Sequence, residues 1–134
     1  MLAKKIKYND YNGVEREETY YFNLNKSELI KLELLTEGGY EAMLNRIVET
    51  RDIPKIAQTF DEIIKLSYGR KSLDGARFEK SEQLVKEFLE SPAYDVLFVG
   101  FIEHPEQFAE FLNGIIPADL RGKIEEQNAA SSKS

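Results

Sequence analysis

Side chains able to do bond-making chemistry are few in this sequence, and their spacing keeps them apart. The single histidine, His104, stands between Glu103 and Pro105. A lone histidine before a proline reads as a surface or helix-capping residue, because catalysis or metal binding needs further groups converging on it. The acidic pairs Glu17-Glu18 and Asp61-Glu62 are adjacent in sequence. Neighbours on a strand or helix point to different sides, so neither pair should converge on one point. No Ser-His-Asp or Cys-His arrangement is present, and the chain has no cysteine. One stretch could hold an anion: Gly69, Arg70 and Lys71 followed by Gly75 and Arg77. Glycines expose backbone N–H groups and the three cations attract phosphate, but the spacing fits no phosphate-binding fingerprint. A plain connecting loop is the simpler reading. No catalytic residue, cofactor site or metal site is expected. The candidate partner contacts are aromatic: Tyr11, Tyr20, Tyr21 and Tyr68, since tyrosine offers contact area at little entropic cost.

The elements that would carry these residues belong to one domain of ordinary globular composition, with 42% apolar and 31% charged residues in 134. Absence of cysteine removes disulfides and thiolate metal sites and fits a reducing compartment. A net charge of −6 argues against nucleic acid as a partner, because phosphate backbones are bound by clustered Lys and Arg. The acidity is concentrated: residues 79–119 hold nine acidic side chains against Lys80 and Lys86. That stretch reads either as a solvated helical face or as a surface selective for a basic partner. "MLAKKIKYND" has no signal-peptide core, and "VLFVGFI" at 96–102 is far shorter than the roughly 20 apolar residues a bilayer requires. No membrane association is expected.

Periodicity predicts a mainly α fold with a small N-terminal β-hairpin (α+β), about six helices in one domain over 1–120. Ile6 and Tyr8 alternate with polar residues before Asn12-Gly13; Tyr20, Phe22 and Leu24 alternate after it. This is a hairpin over residues 4–24 with a type I′ turn, its charged 15–18 stretch exposed. Asn25, three residues before Glu28, opens the first of the helices spanning 26–116, and Gly38-Gly39 ends it. Tyr40, Met43, Leu44, Ile47 and Val48 form a second helical stripe. Asp52 and Pro54 start a third helix with Ile56, Phe60, Ile63 and Ile64 buried, ending near Gly69. After the 69–78 loop, a fourth helix over 81–90 should turn Leu84, Phe88 and Leu89 inward. Ser91-Pro92 then caps and starts the next element. Residues 96–102 fit a buried strand as well as a buried helix, and helix is preferred for its Ser-Pro start and helical neighbours. His104-Pro105 breaks the chain before a short last helix built on Phe108, Phe111 and Leu112. "IIPADL" closes the domain, and 121–134, almost without apolar residues, reads as a flexible tail.

The order of these segments resembles the tail assembly chaperones of long-tailed bacteriophages. The likeness is carried by "IKYNDYNGVEREETYYFNLNKSEL", "GGYEAMLNRIVETRD", "YGRKSLDGARFEKS", "YDVLFVGF" and "FLNGIIPADL", across roughly residues 4–120. It implies a non-enzymatic factor made in the host cell cytoplasm and absent from the mature virion. The implied partners are the tape measure protein, which sets tail length, and the tail tube protein assembled around it. A programmed ribosomal frameshift giving an extended form is also implied, and Gly122-Lys123 is a position where slippery purine codons could lie. A homo-oligomer would suit a chaperone acting in many copies along one client. The alternative is a small structural component of the tail or head–tail connector, which would share the acidic, cysteine-free character. A nucleotide binder built on 69–77 is the third reading.

Overall fold

A computed structural model of the chain describes residues 1–116. The end of the expected domain, 117–120, and the expected tail, 121–134, lie outside the described residues. The chain runs β1 (Leu2–Asn9), β2 (Glu15–Phe22), α1 (Lys26–Leu35), α2 (Tyr40–Thr50), α3 (Ile53–Ser67), β3 (Tyr68–Lys71), β4 (Phe78–Glu79), α4 (Glu82–Leu89), α5 (Pro92–Glu103) and α6 (Pro105–Ile115). Mainly helical α+β is therefore correct, with six helices among the described residues. Residues 96–102 are helical, as preferred.

The β1–β2 hairpin pairs Leu2 with Phe22 through to Asn9 with Glu15. Its turn differs from the type I′ expected at Asn12-Gly13. The Gly13 N–H donates to the Asp10 carbonyl at 2.9 Å, and the Asp10 N–H to Val14 at 2.9 Å. Positive φ is confined to Gly13, at 79°. This is a three-residue connection closed by a left-handed glycine. Asp10 dictates it, because its Oδ1 accepts the N–H groups of both Asn12 and Val14 at 2.9 Å.

The larger correction concerns the loop expected at 69–78, which folds as a second hairpin. β3 pairs with β2 (Tyr21 with Gly69, Phe22 with Tyr68), and β4 pairs with β3, giving an antiparallel sheet in the order β1-β2-β3-β4. Gly69 is required there for space. A Cβ on it would run into the Glu79 carbonyl oxygen and come within 2.6 Å of the Phe78 ring. Strands of four and two residues are too short to show a period of two.

Helix ends follow the side chains available. The Glu28 carboxylate accepts the Asn25 N–H at 2.9 Å at the start of α1, and Ser81 accepts the Leu84 N–H at 3.0 Å at the start of α4. Gly39 has no side chain to cap α2, so Glu33 of α1 reaches across and accepts the N–H groups of Tyr40 and Glu41 at 2.9 and 3.1 Å. Ser91 does not cap α5 as expected. Its hydroxyl turns back and donates to the Phe88 carbonyl at 2.7 Å, leaving Pro92 alone to start the helix.

The inner face of the sheet meets the helices through aromatic rings. Phe22, fully buried, contacts Tyr68, Phe88 and Phe111 at centroid distances of 5.6, 5.9 and 5.0 Å. Phe60 on α3 gathers Tyr94, Phe98, Phe101, Phe108 and Phe111 within 6.4 Å. Phe111 belongs to both groups, so α6 locks the sheet to the helices. Leu84 and Leu89 on α4 are only half-buried; Phe88 alone turns fully inward.

Candidate functional site

Each residue with chemical potential is committed to local structure. His104 joins α5 to α6: its N–H bonds the Gly100 carbonyl at 2.8 Å and its carbonyl accepts from Gln107 at 2.9 Å. The imidazole is exposed, 3.5 Å from Glu106. Glu17 and Glu18 separate to opposite faces of β2. Glu17 meets Lys5 and Lys7 at 3.4 and 3.5 Å on the outer face. Glu18, half-buried where full exposure was expected, accepts from Tyr8 at 2.9 Å and Tyr20 at 3.2 Å. The Tyr8 hydrogen bond is the largest influence holding the Glu18 carboxyl below its usual pKa, against the opposing effect of burial. Asp61 accepts a short hydrogen bond from the Tyr94 hydroxyl, while Glu62 is exposed.

The anion site considered at 69–77 does not assemble. Arg70 and Arg77 both turn to Glu79, at 3.2 and 3.8 Å. Lys71 lies 4.8 Å from the centre of the Tyr21 ring, on the sheet's outer face. The tip's backbone closes on itself: Arg77 N–H donates to the Ser72 hydroxyl at 3.0 Å, and Ala76 N–H to Asp74 at 3.0 Å. The Ser72 hydroxyl donates to Asp74 in turn, and this bond does most to lower the Asp74 pKa. Among the described residues, no three His, Cys, Asp or Glu side chains gather to hold a metal ion. No described helix is long and apolar enough to cross a membrane.

The four tyrosines do not form one patch. Tyr11 stands at the tip of the first hairpin, 82% exposed. Tyr21 lies on the outer face of the sheet with Lys71. Tyr20 and Tyr68 sit on the inner face, 6.2 Å apart, both against Phe88, and Tyr68 stacks on that ring at 4.8 Å. Burial raises the pKa of both phenols.

Two surfaces that the sequence did not single out leave neighbouring apolar side chains uncovered. One is a groove of about 750 Å³ along α4, floored by Val85 and Leu89 and bordered by Lys65, Lys80, Lys86, Glu82 and Glu90. The other is the outer side of α1, where Leu34 and Leu35 are 79% and 86% exposed and Ile30 is also exposed. Lys80 connects them. Its ammonium donates to both Glu28 oxygens at 2.9 Å and to the Leu66 carbonyl at 2.7 Å, tying α1 to the end of α3 beside the groove. The sequence signal for α1 was available: Ile30, Leu34 and Leu35 crowd a helix whose single fully buried side chain is Leu29. Apolar residues around most of a short surface helix indicate a second face needing cover.

The α4 groove combines an apolar floor with a charged rim, and the outer side of α1 adds exposed leucines. Comparison with the curated proteins and with the solved structures found no match to the chain. A family model described as phage tail assembly chaperone matches residues 1–134, the whole of the sequence, and the chain belongs to that family.

Proposed function

We propose that this protein binds the tape measure protein before assembly, keeps it from aggregating, and promotes growth of the tail tube around it, with no bond made or broken. The α4 groove carries this reading. Its floor of Val85 and Leu89 and its rim of three lysines and two glutamates fit the apolar ridge and polar flanks of an amphipathic client helix. The exposed Leu34 and Leu35 extend the apolar surface. Of the four tyrosines, Tyr11 and Tyr21 offer their rings outward, whereas Tyr20 and Tyr68 support the α4 wall from within through Phe88. The protein acts in the host cytoplasm and leaves before the virion is complete.

Co-expression with the tape measure product should bring both down together. A charge in the groove floor, Val85→Glu, should lower that recovery at least tenfold while the far-ultraviolet circular dichroism stays native. Recovery unchanged by Val85→Glu would move the contact elsewhere, and no co-purification of the wild type would end the reading. Mass spectrometry of purified virions should find none of the chain; a stoichiometric amount would make it a structural component. The frameshift is read from the nucleotides: a slip site at codons 121–123 supports the extended form, and none there or nearby removes it.

A further inference from the structure

Among the described residues, β1 is an edge strand of eight residues whose only ladder is with β2. Its other edge opens on a groove of about 330 Å³ shared with α5. Four consecutive β1 residues, 4 to 7, line this groove. Successive strand side chains point to opposite faces, so a groove touching all four runs along the backbone edge, where alternate N–H and C=O groups face outward. Its apolar side is α5, chiefly through the exposed Val96, with Leu97 and Phe101 buried behind it.

Gly100 also lines the groove, in the middle of α5. A glycine there weakens the helix relative to alanine. Nothing inside the described fold requires it, since an added Cβ would meet only the Gln107 side-chain oxygen, 4.0 Å away. A larger side chain there would project into the groove and fill it. The charge of the edge selects what can enter. Lys4, Lys5 and Lys7 border the groove, with no acidic residue among those lining it. Lys5 and Lys7 make only exposed pairs with Glu17, which are readily exchanged. Pairing two copies of β1 would set these lysines against one another.

We propose that the outer edge of β1 and its α5 groove take an extended, acidic segment of the tail client as an added strand. This rests on the tail-protein reading above. Backbone hydrogen bonds would supply affinity, the apolar α5 wall would take alternate side chains, and the lysines would choose acidic flanks.

The test is hydrogen exchange on the full-length chain, alone and in its co-purified complex with the tape measure protein, together with pull-down of three variants. Alternate β1 amides should slow in the complex. Gly100→Leu, which fills the groove, and Lys4→Glu, which reverses its charge, should each lower tape measure recovery about tenfold. Gly100→Ala should keep most recovery and raise Tm. If Gly100→Leu does not fold, Lys4→Glu and the wild-type exchange decide. A complex in which β1 exchanges as fast as in the free protein, or one retained by every folded variant, overturns the added strand and leaves the chaperone reading standing. Wild-type chains that never co-purify overturn both. β1 protection that grows with concentration in the absence of client assigns the edge to a second copy and also overturns the proposal.

Discussion

Tyr40 is 4% exposed, and its hydroxyl has no hydrogen-bond partner among the described residues. Burial, with the nearby Glu62 carboxylate, pushes its pKa up to about 12. An unpartnered buried hydroxyl is a cost, so Tyr40→Phe should stabilise the fold by about 1 kcal/mol in urea titration. The same shift sets an alkaline limit. The folded value lies above the unfolded phenol's 10.0, so this contribution is complete below pH 10 and is lost as pH rises through about 12. Tyr40→Phe should flatten that part of the Tm profile. At the acid end the signs reverse. Asp10, Glu18 and Asp74 have lowered pKa values, from usual values of 3.8 and 4.5, so their stabilisation is present above those values and fades as pH falls below them. Asp74 is exposed at its turn and contributes little, whereas Asp10 is partly buried and holds Arg16 and two backbone N–H groups, so Asp10→Asn and Glu18→Gln should together remove most of the acid-side slope that these three produce. Gly69→Ala should cost about 1–3 kcal/mol by forcing β4 away from β3. Such effects were hidden in the sequence, where Tyr40 was one more apolar position in a stripe and Gly69 a loop residue.

Elements with long internal periodicity were legible, and elements held by distant partners were not. α2 and α3 announced themselves through stripes at helical spacing, and the structure buries Leu44, Ile56, Phe60, Ile63 and Ile64 accordingly. β3 and β4 carry no such pattern, because their positions come from pairing with β2 and from the Phe78 ring lying against Gly69. α1 shows the same limit. Its tie to the end of α3 comes from Lys80, separated from it by two helices and a hairpin, and no local rule connects Lys80 to Glu28. Lys80→Met should therefore destabilise the protein by about 1–2 kcal/mol, read from urea titration, although both side chains are partly exposed. Phe60→Ala should cost about 3–5 kcal/mol, since five aromatic neighbours lose a shared partner. The candidate surfaces were the least legible part. A groove exists only once α4 lies beside the end of α3, and aromatic content drew attention to tyrosines, two of which face the core.

Across the whole molecule, the N-terminal hairpin is part of the core. Removing residues 1–24 would take away Phe22, the contacts of Tyr20 with Phe88, and the strand against which β3 pairs. That deletion should abolish cooperative unfolding in differential scanning calorimetry; a truncated chain with a sharp transition would show the helices to be self-sufficient. The ring partners of Phe22 lie on β3, α4 and α6, from the middle of the chain to the end of the last described helix. During synthesis the first hairpin therefore emerges with its apolar side bare and waits for almost the entire polypeptide before it can be covered. An assembly chaperone must itself pass through an unsheltered interval, and the ring of Phe111, near the end of α6, brings that interval to a close.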